Sequence, residues 1–191
     1  MNVESTEIYG YIVSFEPVLR RHIINYRVRV ISPSVKSWII YLREIPRNFK
    51  LGVFAKIRVI MSKQTGEERL IAEELEVVET QQSYDFVESV IEEVSRGEIT
   101  IVAGRRNGGF FSLPVTDEEV LNKLPTVFPV KAMCLFIETG KGVNLASILS
   151  EREYKIVLRT IEILNKIEEY EERLDKQCRE QLNDIIHATN P

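Results

Sequence analysis

The stretch INYRVRV, residues 24–30, alternates apolar and basic side chains along its length. Its tyrosine and two valines occupy one set of alternate positions, and Arg27 and Arg29 occupy the other. Because successive side chains of a β-strand point to opposite faces, this pattern predicts a half-buried strand whose arginines lie on the outer side. A register shift of one residue would bury the arginines and expose the apolar set, so the pattern also identifies the outer face.

Four other segments of the N-terminal part show the same period of two. In the first of them, Tyr9, Tyr11, Val13 and Phe15 occupy alternate positions and are expected on one face. The β-branched and aromatic residues of these segments, and the turn residues between them, favour strands. The sequence therefore predicts five strands, in EIYGYIVSF (7–15), HIINYRVRVI (22–31), KSWIIYLRE (36–44), VFAKIRVIM (53–61) and ERLIAEELEVVE (68–79).

The last two of these strands lie in NFKLGVFAKIRVIMSKQTGEERLIAEELEVVE, residues 48–79. A glycine precedes the fourth strand, a hairpin follows it, and the fifth strand reads Ile-Ala-x-x-Leu-x-Val. This stretch resembles the end of an OB-fold, the oligonucleotide/oligosaccharide-binding domain. The resemblance implies a five-stranded Greek-key barrel, with the usual helix between strands three and four reduced to EIPRNF, residues 44–49. It also implies that the face of strands two and three binds an oligonucleotide or an oligosaccharide.

Charge is distributed unevenly along the chain. Between Arg20 and Lys63 there are eleven Lys and Arg residues against one acidic residue, Glu44, whereas the whole chain has a formal net charge of -4. A basic segment in an acidic protein favours a polyanionic partner at one site. The alternative is that these charges are only the solvated outer faces of strands.

The basic segment supplies the side chains that single-stranded nucleic acid requires. Cations bind phosphates, and an outward aromatic ring gives a base a surface on which to stack. The candidate nucleic-acid-binding residues of the barrel are those that alternation places outward, namely Arg27, Arg29, Tyr41, Arg43, Phe54, Lys56 and Arg58. Outward Arg and Tyr also suit a protein interface, where both are frequent hot spots, so that interpretation stays open.

A second basic and aromatic set lies in GRRNGGFF, residues 104–111. Asn-Gly between two strand-like runs predicts a tight hairpin, so Arg105 and Arg106 are expected near its tip. Phe110 and Phe111 follow, and only one of them can face the core of a regular strand. The functional interpretation is a basic finger on backbone phosphates. The alternative is a hairpin with solvated arginines at its turn.

The rest of the second part is predicted to be mixed α/β. Residues 84–97, YDFVESVIEEVSRG, have apolar residues at helical spacing and a final glycine, which together predict a helix. Thr116 and Glu119 form a capping-box pattern that opens a short helix. After it, TVFPVKAMCLFIE is typical of a strand, and TGKGVN is predicted as a loop.

One long helix is predicted from Ser150 to about His187. Its first half is apolar on two sides, through residues such as Val157 and Ile161, and is expected to pack on the preceding domain. Its second half has a narrow apolar stripe that requires a partner helix, from a second copy or from another protein; docking on its own domain is the alternative. Four-residue steps interrupt a strict heptad, so a coiled coil here is expected to be short or irregular. The candidate oligomerisation residues are Tyr170, Leu174, Cys178, Leu182 and Ile185.

The sequence has no recognisable enzymatic motif. The two histidines, His22 and His187, lie at opposite ends of the chain, which disfavours a Ser-His or Cys-His nucleophile. The Gly-Lys-Gly at 140–142 does not satisfy the phosphate-loop pattern. Cys134 and Cys178 have neither a CxxC spacing nor a His neighbour, so both are expected to be packing residues. We expect a non-enzymatic protein with no metal and no cofactor, with a metal-dependent nuclease as the open alternative.

Composition and targeting signals bear on the cellular setting. The N-terminal sequence lacks the layout of a signal peptide, and no apolar run approaches the ~20 residues that span a bilayer. A soluble, cytoplasmic protein with no membrane partner is therefore expected. The preference for Glu over Asp, the abundance of Ile and Val and the scarcity of Gln are typical of a thermophile.

Together these observations predict an α+β protein in three parts. They are an OB-like β-barrel over 1–80, a mixed α/β region with a hairpin over 84–149, and a long amphipathic helix over 150–188. The predicted function is binding of single-stranded DNA or RNA by the basic outer face of the barrel, with the helix mediating assembly. The alternative is a non-catalytic subunit or adaptor of a larger, nucleic-acid-processing complex, whose barrel binds protein.

Overall fold

The computed structural model describes residues 5–20, 23–46, 49–64 and 67–189. Within these ranges, ten β-strands form two sheets, with a short helix inside the second sheet's sequence and a long helix after it. The protein is therefore mostly β and belongs to the α+β class, as predicted. The three domain boundaries stay a prediction.

The N-terminal sheet closes on itself as a barrel. Its strands are β1 (Ser5–Arg20), β2 (Ile23–Ile31), β3 (Ser37–Leu42), β4 (Phe54–Gln64) and β5 (Glu67–Val77). They pair in the order β1-β2-β3-β5-β4, and β1 also pairs with β4, which closes the barrel. Every pairing is antiparallel except that of β3 with β5. The five strands lie where the alternating pattern predicts them, and β1 extends further in both directions.

The barrel core follows the alternation in β2, β3 and β4. Val28 and Val30 of β2 are fully buried, as are Ile40 of β3 and Ile57 of β4. The intervening residues of β2, including both arginines, point away from this core. The predicted outer face of β2 is therefore on the correct side of the barrel wall.

β1 departs from the predicted alternation because it contains a bulge. Its pairing with β2 shifts between Ile12 and Ser14, which changes the face to which the following side chains point. Ile12 and Phe15 both lie in the barrel core, whereas Tyr11 and Val13 belong to a cluster on its outer side. The expectation that the four alternate residues of this strand share one face is wrong.

The second sheet repeats the strand order of the barrel. Its elements are β6 (Phe86–Arg96), β7 (Thr100–Arg106), β8 (Gly109–Val115), α1 (Glu118–Lys123), β9 (Val130–Thr139) and β10 (Gly142–Leu149). The strands pair in the order β10-β9-β6-β7-β8. If the strands of each sheet are numbered one to five along the chain, the closed barrel has the order 1-2-3-5-4 and the second sheet has the order 5-4-1-2-3. The second sheet is therefore the same cyclic order, opened between the third and fifth strands. β7 and β8 therefore correspond to β2 and β3.

β6 replaces the helix predicted over residues 84–97. Its many β-branched residues favour a strand. A bulge between Ile91 and Glu93 shifts its pairing with β7. Ile91 and Val94, three residues apart, consequently pack in the same core of the second sheet. That spacing imitates a helix, which is why the periodicity was misleading here.

The remaining connections of the second sheet are a mixture of confirmed and corrected predictions. Asn107 and Gly108 form the predicted hairpin turn between β7 and β8, both with positive φ (48° and 78°). α1 begins one residue later than the capping-box pattern predicts, because Asp117 accepts a hydrogen bond from the backbone N–H of Val120 at 3.2 Å. Thr116 is not the cap. Gly140 and Lys141 form the turn between β9 and β10, and the other residues of the predicted loop TGKGVN belong to these two strands.

The long helix α2 (Glu151–Thr189) begins with a capping box. The backbone N–H of Glu153 donates to Ser150 Oγ at 3.2 Å, and the N–H of Ser150 donates to the Glu153 carboxylate at 2.8 Å. These two bonds satisfy donors that the first turn of a helix otherwise leaves free. The start of the predicted helix is confirmed.

The first half of α2 packs on the core of the N-terminal barrel. Ile161 is buried in that core, and Val157 and Leu164 pack against it. The connection between β3 and β4, which has no helix in its described residues, adds Phe49 to the same core. Ile156, which faces another side of α2, is exposed. The barrel therefore receives its helical cover from the far end of the chain.

Ile161→Ala should lower the free energy of unfolding by about 2–4 kcal/mol, because the residue is 5% exposed and its loss leaves a cavity. Leu158→Ala is the matched control on the same helix. Leu158 is 38% exposed, so its loss should cost less than about 1 kcal/mol. Urea unfolding followed by circular dichroism measures both, and equal losses would contradict the packing of α2 on the barrel.

Candidate nucleic-acid interface

Part of the outer side of β1 and β2 packs against the second sheet. Residues of both sheets form one buried apolar cluster, whose members are Tyr11, Val13, Ile31, Leu135, Ile137 and Ala146. Phe54 of β4 packs against this cluster, with its ring centroid 5.0 Å from that of Tyr11. The two sheets therefore share an apolar interface.

Arg29 crosses this interface with only 2% of the residue exposed. It donates a hydrogen bond from Nη2 to the carbonyl of Ala146, and its Nη1 lies 2.5 Å from Oδ2 of Asp117. Its Nε lies 3.4 Å from Oε2 of Glu119. Desolvation lowers the pKa of Arg29, and the charges of Asp117 and Glu119 oppose that change. Since a guanidinium keeps its proton in proteins, these carboxylates are what makes the burial of Arg29 tolerable.

Arg27 contacts the same helix from the neighbouring position on the strand. Its Nη2 donates to Oε1 of Glu119, and its Nη1 lies 3.5 Å from Oε2 of Glu16. Desolvation alone would lower the pKa of Arg27, but the hydrogen bond and charge of Glu119 outweigh it and the net direction is upward. The capping-box pattern pairs Glu119 with Thr116. In the structure, the Glu119 carboxylate instead contacts Arg27 and Arg29 and so connects α1 with β2.

These contacts correct part of the predicted binding site. Arg27 and Arg29 do point outward from the barrel, but their side chains end on α1 instead of in solvent. Phe54 is half-buried, with its ring in an edge contact with Tyr11 at the apolar interface. The prediction of an open basic and aromatic face at these three positions is wrong, because the second sheet packs on that side of the barrel.

The predicted cations of β4 have neighbouring carboxylates. Lys56 Nζ lies 2.8 Å from Oε1 of Glu7, and Arg58 Nη2 lies 3.1 Å from Oε2 of Glu74. The hydrogen bond with Glu7 raises the pKa of Lys56. Exposed pairs of this kind contribute little to stability, and the paired acid offsets the attraction of each cation for phosphate.

Two further predicted residues lie on or beside β3. Tyr41 is half-buried, and the guanidinium carbon of Arg69 lies 5.1 Å from the centroid of its ring. Arg43 is exposed and has no ion-pair partner among the described side chains. On the N-terminal barrel, Arg43 is therefore the predicted residue that is most available to a phosphate.

The β7–β8 hairpin exposes an aromatic ring beside an arginine. Phe110 is 80% exposed, and the guanidinium carbon of Arg105 lies 5.7 Å from the centroid of its ring. The two residues are partners across the hairpin, and Arg105 Nη2 also lies 2.5 Å from Oε1 of Glu92. Ser112 and Pro114, the next outward residues of β8, are exposed as well. This face corresponds to the β2–β3 face of the barrel.

Arg106 and Phe111 point to the other side of the hairpin. The guanidinium carbon of Arg106 lies 4.0 Å from the centroid of Phe136, and the ring of Phe111 is 5.1 Å from the same ring. Phe136 is buried in the core of the second sheet. Arg106 therefore covers a core ring and is half-buried, unlike the projecting finger predicted for it. Phe110 was missing from the predicted site, although alternation showed that one phenylalanine must face outward.

A groove of about 570 Å³ lies between the two sheets, beside Arg29. Trp38 lines one wall, and three acidic residues line the other, namely Asp117, Glu118 and Glu119. Because these carboxylates outnumber the single arginine of the lining, the groove repels phosphate. We therefore do not assign the nucleic-acid contact to this groove.

Three members of the predicted oligomerisation set, Tyr170, Leu174 and Cys178, are exposed on α2. The structure does not describe the side chains of Leu182 and Ile185.

The two cysteines differ in their surroundings. Burial raises the pKa of the Cys134 thiol to about 11. The expectation of two packing cysteines therefore holds for Cys134 and is wrong for Cys178.

Other classes of site find no support in the described residues. Within them, no group of three or more His, Cys, Asp and Glu side chains is arranged to hold a metal ion. The helices that the structure describes include none that is long and apolar enough to cross a membrane. The Gly-Lys-Gly at 140–142 lies in a turn between two strands, so it lacks the helix N-terminus that a phosphate loop uses.

Comparison with known proteins finds a weak similarity to solved structures. No protein-family model matches the chain, and no curated protein matches it. Among solved structures, the chain is similar to the p204 HINb domain at 13% sequence identity and a TM-score of 0.29. The match covers 76% of this chain and 94% of that chain. A likeness at this level assigns no function.

Arg29→Ala should lower the free energy of unfolding by on the order of 3 kcal/mol, because Asp117 and Glu119 lose their partner in a partly buried interface. Arg58→Ala is the control, since it breaks an exposed pair and should cost less than about 1 kcal/mol. Chemical unfolding followed by circular dichroism measures both. Equal losses would contradict the role of Arg29 as the link between the sheets.

Proposed function

We propose that the protein binds single-stranded nucleic acid, and that the outer face of the β7–β8 hairpin carries the contact. The observation that supports this most directly is the exposed ring of Phe110 beside Arg105. An exposed ring gives a base a surface on which to stack. In our proposal, the adjacent Arg105 exchanges the Glu92 carboxylate for a phosphate of the same strand. Binding of this kind requires neither catalysis nor a cofactor.

The strand order favours this location over the N-terminal barrel. In OB-like barrels, the face of the second and third strands commonly binds oligonucleotides. On the N-terminal barrel, the part of that face around Arg29 is covered by α1 and the second sheet. On the second sheet, the corresponding face of β7 and β8 is open. We therefore assign the contact with bases to the second sheet, and keep Arg43 as a phosphate contact of the N-terminal barrel.

The second candidate function is that of a non-catalytic adaptor in a larger complex. It is favoured by the exposed apolar residues of α2, such as Ile163 and Tyr170. In an adaptor, Phe110 fills a pocket of a protein partner, as aromatic hot spots do. The two functions differ in what Phe110 must provide. A base requires its π face, whereas a protein pocket requires its apolar volume.

Substitutions of Phe110 separate these two roles. Phe110→Leu should weaken binding of a labelled single-stranded oligonucleotide by on the order of tenfold or more, because Leu has no face for stacking. Phe110→Tyr keeps the ring and should stay within about threefold of wild type. Val127→Ala is the control, since Val127 is also a highly exposed apolar residue but belongs to the connection between α1 and β9. Fluorescence anisotropy measures all four proteins.

The outcomes of this titration are distinct. If wild type does not bind single-stranded oligonucleotide even at low salt, the proposed function is wrong. If Phe110→Leu binds as tightly as wild type, base stacking is wrong and the adaptor function is favoured.

The salt dependence of binding tests the role of Arg105. Each phosphate neutralised by a cation releases counterions, so affinity should fall steeply as salt is raised. Arg105→Ala should make the slope of log affinity against log salt shallower by about 1. Arg58→Ala should leave the slope unchanged. Identical slopes for wild type and Arg105→Ala would rule out a phosphate contact at Arg105.

A further inference from the structure

α2 has two apolar faces, and one of them is covered by the barrel. Val157, Ile161 and Leu164 make that contact. The other face carries large apolar side chains that are exposed, namely Ile156, Ile163, Ile167, Tyr170 and Leu174. We call these five residues the seam. A helix with a polar remainder gains stability by burying such a face against another helix.

The spacing of the seam is that of a coiled coil. Ile156, Ile163 and Tyr170 follow one another at intervals of seven residues, and so do Ile167 and Leu174. Ile167 lies four residues after Ile163 and three residues before Tyr170. In heptad notation, the first series therefore occupies d positions and the second series occupies a positions. Thr160 occupies the a position before Ile167, and Gln177 occupies the d position after Leu174, where the apolar repeat ends.

We propose that the seam pairs α2, in parallel, with α2 of a second copy of the chain. The charges beside the seam support both the partner and the direction. Arg159, Lys166 and Arg173 each precede an a position by one residue, so they form a basic row of g positions on one flank. Glu171 follows Tyr170 and lies at an e position on the other flank. All four side chains are exposed.

The direction follows from which flanks meet. In a parallel pair, the g flank of one helix lies beside the e flank of the other, and the g residue faces the e residue five positions later. Lys166 then faces Glu171 of the second copy, and the symmetry of the pair provides this contact twice. In an antiparallel pair, g flanks meet g flanks, so the basic row is set against an identical basic row.

A second copy of α2 is a suitable partner for the seam, because each helix supplies the basic g flank and the e flank that carries Glu171. The surface is self-complementary, as a two-fold interface requires. Pairing leaves the buried part of the barrel contact intact, since Ile161 lies at a b position away from the seam. Val157 and Leu164 lie at e positions and border both contacts. This inference does not depend on the proposed function, because the pairing involves no nucleic acid.

Sedimentation equilibrium of the full-length protein tests the pairing. Wild type is expected to sediment as a dimer. Ile167→Glu and Leu174→Glu are each expected to sediment as monomers with unchanged circular dichroism, because both residues are exposed in the single copy. Leu158→Glu is the matched control on the opposite side of the helix and should stay dimeric. A monomeric wild type at high concentration, or a dimeric Leu174→Glu variant, overturns the proposal.

Charge reversal tests the direction. Lys166→Glu should raise the dimer dissociation constant by on the order of tenfold, because two attractive contacts become repulsive. Adding Glu171→Lys to the same chain should restore the wild-type value. Lys176→Glu reverses a charge on the opposite side of α2 and should change the constant by less than about twofold. If Lys166→Glu tightens the dimer instead, the helices are antiparallel and the proposal is overturned.

Discussion

The burial of Arg29 is the constraint on which the rest of the architecture depends. A guanidinium that cannot lose its proton must meet carboxylates wherever it is removed from water. Asp117 and Glu119 provide them from the cap and first turn of α1, and the carbonyl of Ala146 in β10 accepts a hydrogen bond from Arg29. This arrangement fixes how α1 and the second sheet lie on β2. It also leaves little of the Arg27 and Arg29 side chains exposed to solvent.

The two sheets share one strand order but differ in closure and in what covers the face of the second strand. In the first sheet, the face of the second strand is occupied by an internal contact, and the barrel closes fully. In the second sheet, the third and fifth strands are not hydrogen-bonded to each other, and the corresponding face carries the exposed Phe110. α2 follows the second sheet in sequence but packs its Ile161 into the core of the first. The helix therefore adds a second tie between the two halves.

Much of the barrel could be predicted from local alternation, because β2 to β4 are regular and half-buried. The bulges in β1 and β6 could not, since a one-residue insertion changes the facing of the side chains after it and made β6 look helical. The alternation of β2 gave the correct side for its arginines, but not their partners. Glu119 lies 92 residues from Arg27 along the chain, and no local pattern links them. The hairpin sequence shows that one phenylalanine must face outward, but it does not show that this ring is Phe110, exposed beside Arg105.

In our proposal, the outer face of β2 joins the two sheets and the face of β7 and β8 binds the nucleic-acid strand. Amide chemical-shift mapping of isotope-labelled protein, titrated with a single-stranded oligonucleotide, distinguishes these two roles. The account predicts shifts concentrated at Arg105, Phe110 and their neighbours on β7 and β8, with Arg27 and Arg29 unchanged. Shifts concentrated on β2, with the β7–β8 hairpin unaffected, would contradict it.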